Sequence, residues 1–479
     1  MDLTLYNTLS KRKEPFTVRS GAPVSIYACG PTVYGMQHIG NLRSAMTADI
    51  VVRTLTLLGY NTHYVSNITD VGHLTDDDIA QGDSGQDKML AAAEREQKTP
   101  EDIARFYEEA YRRDTAALHI TPPAERPRAT EHIDAMIAMI EKLIDRGHAY
   151  VSNGNVFYDV SSFPRYGALS GNTPETLKVG ARLTNAHPDK RNQWDFALWL
   201  SAPPSHLMRW ASPWSVGYPG WHIECSAMST HYLGMPIDIH CGGEDNIFPH
   251  HEAEIAQSEG AEDTHPFVRY WVHTRHLLVD GKKMSKSAGT TYTLADVRER
   301  GFTPADLRLL YLQSHYRSQM NFTWDALHQA RKNRHTITAA YQAVQLYAQR
   351  DELGTEALDT DRITEDFRAA LCDDLNTPRA LSVVMTARTT VNTMIANGTL
   401  SNVADVLAMF ELFNMLLALP FDEKPQEEDI PADIDALVRQ REDARHRRDF
   451  ARADELRNAI EQHGYNVTDT ADGPVVTRQ

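Results

Sequence analysis

The sequence of 479 residues has few cysteines, and the four that occur are far apart: Cys29, Cys225, Cys241 and Cys372. This spacing disfavours a secreted disulfide framework and leaves isolated thiols for a core, a metal site or catalysis. No apolar run reaches the ~18 to 20 residues of a membrane-spanning helix, and the N-terminal segment lacks the apolar core of a signal peptide. We therefore expect a cytoplasmic protein with no membrane segment.

Basic residues are in the minority, since 48 Lys and Arg against 65 Asp and Glu give a formal net charge of -17. This charge disfavours a general nucleic-acid coat that binds through long-range attraction, although local basic patches can still contact RNA. Hydrophobic residues make up 42% and charged residues 24%, which are globular proportions. At ~150 residues per domain, the chain is long enough for about three domains.

The N-terminal region predicts a strand–helix–strand unit of a parallel sheet. Residues 24–29 form an apolar run typical of a buried strand, a helix fits 41–58, and 62–68 alternates like a second strand. Ligands of such sheets collect at the carboxyl ends of the strands. We therefore expect Cys29 and His38 to lie at a nucleotide site.

The next segments indicate an α+β insertion over about 115–205. Helices are predicted from Thr99 and over 130–146, and Asn153-Gly154 lies between two short β-like runs. Asn-Gly in this setting is a strong signal of a β-hairpin.

The second half of the chain predicts a return to the sheet and then a long helical region. Residues 236–240 resume the strand pattern, 302–419 is almost wholly helical in pattern, and 420–432 is a charged linker rich in proline. A single terminal helix is predicted over 434–462. It carries a basic cluster that is either a solvated face or an RNA contact: Arg439, Arg441, Arg445, Arg447 and Arg448.

The segment His38-Ile39-Gly40-Asn41 follows a predicted strand and begins a predicted helix. Imidazole and amide donors at a helix N-terminus can contact the phosphates of ATP, and Gly40 lets a nucleotide approach the backbone. Four residues alone are a weak signal, so a structural histidine is the alternative interpretation.

A second motif is Lys283-Met284-Ser285-Lys286-Ser287, between Gly281 and Gly289. Two ammonium groups on a loop can neutralise the charge that develops on a departing pyrophosphate; a solvated basic loop is the alternative. In this order, the two motifs resemble the HIGH and KMSKS signatures of class I aminoacyl-tRNA synthetases.

A metal site is the third candidate. His250 and Glu254 are i and i+4 on a predicted helix, and Cys29 with Cys225 could add two thiolates to complete a tetrahedral zinc set. Buried structural cysteines are the alternative, because three distant segments would have to converge. His251 is expected to face elsewhere.

Longer segments resemble the cysteinyl-tRNA synthetase family from about Leu5 to Arg478. The matching segments are 29–34, 67–70, 220–228, 238–243, 248–252, 254–258, and Asp374 with 376–378. After residue 70 the chain departs from the family pattern, so contacts that the family makes through 71–88 are in doubt.

The resemblance implies a role for each matching site residue. Zinc would be held by Cys29, Cys225, His250 and Glu254; the amino acid would lie against Thr69, Trp221 and His240; and adenosine would lie by Gly242, Gly243 and Asp245. The phosphates would contact His38, Gly40, Asn41, Lys283 and Lys286.

The fold implied is α/β: a Rossmann-type class I synthetase catalytic domain with an α+β insertion, then a helical bundle and a small C-terminal mixed module. The implied divisions are catalytic halves 1–114 and 206–300, insertion 115–205, bundle 301–419, linker 420–432 and anticodon-binding module 433–479.

The implied reaction is ATP-dependent activation of L-cysteine to cysteinyl-adenylate, with magnesium accompanying ATP, and transfer to the 3' end of cysteine tRNA. One zinc ion per chain, by binding the thiolate, would select cysteine over serine, and a monomer is expected. Two alternatives remain: the related cysteine ligase of mycothiol biosynthesis, and a catalytically inactive paralogue that only binds tRNA.

Overall fold

The computed structural model describes residues 2–19, 21–72, 74–76, 84–173, 187–203, 206–284, 289–421, 431–447, 449–470 and 473–478. The chain divides into two compact units, Met1–Leu419 and Pro420–Gln479, and each is treated by itself below. Within the described ranges, no helix combines the length and the apolar character needed to span a bilayer.

The strands are β1 Thr4–Asn7, β2 Arg12–Pro15, β3 Val24–Ala28, β4 Thr62–Ser66, β5 Leu74–Asp76, β6 Ser84–Asp87, β7 Ala149–Ser152, β8 Asn155–Tyr158, β9 Phe196–Ser201, β10 Trp210–Ala211, β11 Val216–Pro219, β12 Ile237–Gly243, β13 Val268–Thr274, β14 Leu277–Val279, β15 Lys282–Lys283, β16 Met320–Phe322, β17 Tyr465–Thr470 and β18 Gly473–Arg478.

The α-helices among the described residues are α1 Ile39–Leu57, α2 Lys88–Glu96, α3 Pro100–Ala117, α4 Ile133–Asp145, α5 Trp221–Leu233, α6 Glu252–Glu262, α7 Leu294–Glu299, α8 Pro304–Leu312, α9 Trp324–Tyr347, α10 Thr360–Cys372, α11 Thr377–Asn397, α12 Val403–Leu417, α13 Ala432–His446 and α14 Phe450–Gln462. Short 3-10 turns occupy Ala129–His132, Val160–Ser162 and Glu244–Asn246, and a π-helical turn occupies Ile247–His251.

A four-stranded parallel sheet with the order β13-β12-β3-β4 forms the centre of the larger unit. Every residue of β3 and β12 is buried, as expected for strands covered on both faces. The predicted strand–helix–strand unit is therefore confirmed as β3, α1 and β4. Because β3 and β12 are parallel neighbours, Cys29 and Gly243 lie at the same edge of the sheet.

The insertion contains an antiparallel sheet with the order β10-β11-β9-β8-β7. Its predicted hairpin is present, since Asn153 and Gly154 both have positive φ, at 50° and 81°, as the two-residue turn requires. The sheet continues to Pro219, because β11 pairs with β9. It therefore extends beyond residue 205, where the sequence alone places the end of the insertion.

A small sheet with the order β15-β14-β16 interrupts the region that was predicted to be helical after residue 302. Met320–Phe322 is an exception to the helical pattern of this region, since this short segment pairs in parallel with Leu277–Val279. Helices α9 to α12 follow, as the sequence predicts.

A fully buried ion pair joins α1 to α8, and the same arginine also bonds to the end of the last helix of the larger unit. Arg308 on α8 donates to Asp49 on α1 at 2.8 Å and to the carbonyls of Leu416 and Leu417 at 2.9 and 2.5 Å. Asp49 also accepts from Arg53, at 2.8 Å, within α1. The Arg308 guanidinium therefore links the end of α12 to α1, the helix that His38 precedes.

The described residues of the C-terminal unit form two helices, where the sequence predicts one over 434–462. The first helix ends at His446, and the second begins at Phe450. Asp449 caps α14 by accepting from the backbone of Arg452 at 3.1 Å. Arg441 of the basic cluster is only 3% exposed, so the cluster is not one continuous exposed face. Most of the predicted linker, 422–430, lies outside the described residues, and Ala432 already begins α13.

Candidate active site

Four candidate metal ligands from three segments meet beside the central sheet. Cys29 follows β3, Cys225 lies on α5, His250 lies in the π-helical turn, and Glu254 lies on α6. Their ligand atoms are all within 4.8 Å of one another. The two sulfur atoms are 3.8 Å apart, and Glu254 Oε1 lies 3.5 Å from Cys29 Sγ and 3.1 Å from His250 Nε2.

Neighbouring groups set the ionisation of this cluster. The Cys29 thiol donates to Cys225 and lowers the pKa of Cys225 to about 7, whereas burial raises the pKa of Cys29 well above its usual range. Burial alone would raise the pKa of Glu254, but His240 and His250 outweigh it and lower this pKa to about 2. Glu254 is therefore anionic before any metal binds, whereas a metal would have to displace the proton of the Cys29 thiol.

The residues predicted to line the amino-acid pocket surround the same cluster. His240 Nε2 lies 2.9 Å from Glu254 Oε2, and the Trp221 ring lies 4.4 Å from the ring of His250. Thr69 donates through Oγ1 to Glu224 at 2.9 Å and is buried. His240 and Trp221 therefore contact the donor cluster directly, and Thr69 is connected to Cys225 through Asn67. Of the three, Trp221 is the most open to solvent.

His251 was expected to face away from the cluster, and this expectation is wrong. Its Nε2 lies 3.4 Å from Cys29 Sγ, and its Nδ1 lies 2.7 Å from His273 Nε2. The two consecutive histidines lie in the π-helical turn that precedes α6, which also contains Phe248 with non-helical angles, φ -139° and ψ 132°. A second donor group, in which His240 and His251 replace Cys225 and His250, therefore overlaps the first.

Sequence reasoning assigned no role to three further polar residues at this site. Asn67 accepts from the backbone of Gly30 at 2.8 Å and donates to Thr69 at 3.1 Å. His222 Nδ1 lies 2.8 Å from His250 Nδ1, and Glu224 accepts the Thr69 hydroxyl. Asn67, His222 and Glu224 lie in segments that resemble the family, but only their proximity to the thiols distinguishes them from core residues.

The His38 side chain caps α1. Its Nδ1 accepts from the backbone of Gly40 and Asn41, both at 3.1 Å, and Asn41 Oδ1 accepts from the His38 backbone at 3.2 Å. Since Nδ1 is an acceptor, a neutral ring carries its proton on Nε2. The first amides of the helix are therefore occupied, and a phosphate here would contact side chains.

The carboxyl end of β12 combines two close-packed glycines with an exposed carboxylate. A Cβ on Gly242 would overlap the His251 ring, and one on Gly243 would overlap the Asp245 carboxylate. Asp245 itself is exposed on the following turn. Gly242 thus lets the predicted adenosine side of the site pack directly against the histidine cluster.

The second signature motif begins on β15 and contacts the first. Lys283 is exposed. The methyl group of Met284 lies so close to Gly40 that a Cβ on Gly40 would overlap this methyl group. Ile39 donates through its backbone to Tyr292 at 2.8 Å, beyond the loop. Lys286 lies outside the described residues, so only the two ends of the loop are placed beside His38 and Gly40.

Three family profiles match successive parts of this chain. The class I (C) tRNA synthetase catalytic domain matches residues 15–332, the DALR domain 366–421, and the cysteinyl-tRNA ligase anticodon-binding domain 427–474. The solved methionyl-tRNA synthetase of Mycobacterium tuberculosis, bound by methionyl-adenylate, has a TM-score of 0.58 at 15% identity, covering 82% of this chain and 89% of that one. The fold is that of a class I aminoacyl-tRNA synthetase.

Relatives that align over nearly their full length identify the family within this class. Cysteine–tRNA ligases of Thermus thermophilus and Deinococcus radiodurans are 40% and 41% identical, covering 99% and 98% of this chain and 99% and 96% of their own lengths. That of Salinibacter ruber is 42% identical, covering 98% of this chain and 97% of its own length. The chain belongs to the cysteinyl-tRNA synthetase family, ligases that charge tRNA at the expense of ATP.

Proposed function

We propose that Cys29, Cys225, His250 and Glu254 hold one zinc ion and that this metal selects cysteine over serine as the amino acid to be activated. The convergence of the four donors carries the proposal. Two thiolates at ~2.3 Å on a tetrahedral zinc ion lie roughly 3.8 Å apart, which is the separation of the Cys29 and Cys225 sulfur atoms.

The selectivity follows from chemistry more than from size. Cysteine and serine differ by one atom, and a pocket that distinguishes them by fit alone would achieve only about 10²-fold. A bound zinc ion supplies a soft Lewis acid that stabilises a thiolate far better than an alkoxide. Thr69, Trp221 and His240 would orient the amino acid so that its side chain points at the metal, and no editing site would be needed.

At the nucleotide end, His38 and Asn41 would bind the phosphates during attack by the cysteine carboxylate. The Nε2 proton of His38 is the donor suited to a phosphate oxygen, because Nδ1 accepts two backbone amides. Lys283 and Lys286 would stabilise the departing pyrophosphate, and Gly242, Gly243 and Asp245 would contact the adenosine. Catalysis would then be electrostatic and positional, with no covalent enzyme intermediate.

The remaining parts of the proposal rest on the family. Magnesium would accompany ATP, and the protein would act as a cytoplasmic monomer on cysteine tRNA. The C-terminal unit would bind the anticodon arm through its exposed basic residues, such as Arg445 and Arg447. The match to an anticodon-binding profile favours this function over the amino-sugar ligase.

The two overlapping donor groups allow a sharp test. We expect His250→Ala to lose zinc and cysteine-dependent ATP–pyrophosphate exchange, whereas His251→Ala keeps the metal with an affinity lower by about 10- to 100-fold, as for residues that support a ligand. Metal analysis and exchange with cysteine and with serine would be measured on both variants. Loss of zinc only in His251→Ala would move the site to the other group, and zinc-free protein that still selects cysteine would refute the mechanism.

A further inference from the structure

Arg43 is a buried cation whose hydrogen bonds go to backbone carbonyls. It lies in the second turn of α1 and is 3% exposed. Its Nη1 donates to the carbonyl of Arg275 at 2.6 Å, and its Nη2 donates to those of His315 and Ser318 at 3.1 and 2.9 Å. Burial lowers the pKa of Arg43 to about 10, so it stays charged at neutral pH. Such a group is retained at a cost in desolvation.

The three carbonyls belong to the two segments that enter the small sheet β15-β14-β16. Arg275 lies between β13 and β14, and residues 315–318 precede β16. β14 pairs with β16 from Leu277 to Val279, and on its other side with β15, which contains Lys283. Arg43 therefore links α1, which is capped by His38, to the two segments that lead into the small sheet. This sheet carries the start of the second signature motif.

Residues 315–318 are also held by the helical region, through Asp374. Asp374 accepts from the Tyr316 hydroxyl and from Arg317 Nε, both at 2.7 Å, and its own carbonyl lies 2.8 Å from His315 Nε2. Residues 315–318 are thus fixed between α1 and the bundle. Of these two attachments, only that of Arg43 leads directly to the first signature motif.

We propose that Arg43 is a positioning residue for adenylate formation: it sets the distance between the phosphate donors on α1 and β15, the strand that carries Lys283 and leads into the rest of the second signature motif. The inference rests on the proposed role of Lys283 and Lys286, because Arg43 touches no substrate and acts only through them. A displacement of about 1 Å at a reacting group can cost about 10²-fold in rate. A buried residue that fixes the position of such a group can therefore change the rate without contacting a substrate.

The expected effect of Arg43→Met is a 10- to 100-fold fall in the rate of adenylate formation, with zinc content and the KM for cysteine unchanged. Since both changes act on one loop, Arg43→Met should add little in a Lys286→Ala background. Arg43→Lys, which keeps the charge and can satisfy some of the carbonyls, should recover part of the rate and guards against a variant that does not fold.

Arg53→Met is the matched control. Arg53 is also on α1 and also donates to carbonyls, those of Met415 and His119 at 2.9 and 2.6 Å, which lie away from the small sheet. Hydrogen exchange of a peptide covering 277–283 reports the sheet directly and does not depend on catalysis. It should accelerate in Arg43→Met and stay at the wild-type rate in Arg53→Met.

Each outcome decides the inference. Unchanged exchange in 277–283, or rate losses of Arg43→Met and Lys286→Ala that multiply, would overturn the positioning role and leave the proposed function intact. Wild-type activation by Lys286→Ala alone would overturn the proposed role of the loop, and the inference with it. Faster exchange together with rate losses that do not multiply supports both.

Discussion

The two ends of the candidate active site are built in opposite ways. At the amino-acid end, Cys225, His250 and Glu254 are at most 2% exposed and contact one another. At the nucleotide end, Asn41 and Lys283 are exposed side chains. The amino-acid end is therefore buried in the interior of the protein, whereas the nucleotide end is exposed at the protein surface.

This difference matches the two tasks that the proposed mechanism assigns to these ends. Discrimination between two similar amino acids needs donors whose positions are fixed before the substrate arrives, and burial among packed side chains provides this. Stabilisation of a departing pyrophosphate needs cations that meet charge as it develops, and a surface loop can deliver them. The amino-acid end should therefore control identity, and the nucleotide end should control rate.

The largest effect is expected from Cys225→Ser. A serine oxygen is a poor zinc ligand, so this variant should lose the metal, and cysteine activation should fall by about 10³-fold or more. Cys241→Ser is the control, because Cys241 is also buried but belongs to neither donor group. Metal analysis and ATP–pyrophosphate exchange decide the matter; full zinc content with wild-type activation in Cys225→Ser would contradict the assignment.

A smaller loss, confined to rate, is expected from Lys286→Ala. Without its charge the departing pyrophosphate is less stabilised, so adenylate formation should slow by about 10²-fold while cysteine binding and zinc content stay unchanged. Lys282→Ala, which removes an exposed lysine from β15, should retain the wild-type rate. Rapid-quench measurement of the first turnover separates the two variants, and a cysteine-binding defect in Lys286→Ala would argue against the division between the ends.

Removal of the residues after Pro420 tests whether either end depends on the C-terminal unit. We expect amino-acid activation to remain nearly intact and the KM for tRNA to rise by about 10-fold or more, since basic contacts to phosphates are lost. Steady-state charging and exchange would be compared on protein whose fold is checked by circular dichroism. A collapse of activation in folded protein would show that this unit supports the catalytic site.

The smallest effect on the site is expected from a change that lowers stability alone. Arg308→Met removes the buried guanidinium that donates to Asp49 and to the four carbonyls of Leu118, His119, Leu416 and Leu417, so the free energy of unfolding should fall by about 3 to 5 kcal/mol. The ratio of cysteine to serine activation should not change. Arg112→Met, at the more exposed pair with Glu108, should cost at most about 1 kcal/mol. Urea titrations give both values, and an altered amino-acid ratio in Arg308→Met would link selectivity to global stability.

Sequence patterns predicted the parts of the molecule where local chemistry dictates structure. The buried strand before Cys29, the helix from Thr99 and the turn at Asn153-Gly154 follow from apolar runs, capping and turn preferences. The approach of the two signature motifs was implied by resemblance and is seen between Met284 and Gly40. Periodicity alone could not have brought these distant segments together.

The failures occur where the backbone departs from a regular period. His250 and His251 reach one site through a π-helical turn, which a 3.6-residue repeat cannot predict. The terminal helix breaks at Asp449, although Val438 and Leu456 on either side maintain a helical apolar pattern. In both cases the sequence shows which residues are buried but not the change in direction of the chain.

The contacts of Arg308 relate the order in which the chain is synthesised to the order in which its core can form. Asp49 emerges from the ribosome long before Arg308 and Leu417, and until then only Arg53 and Thr121 can contact its carboxylate. Burial of that face of α1 on the nascent chain would enclose a charge that lacks its main partner, which is costly. We therefore expect the core around α1 to close fully only after the end of α12 has been synthesised.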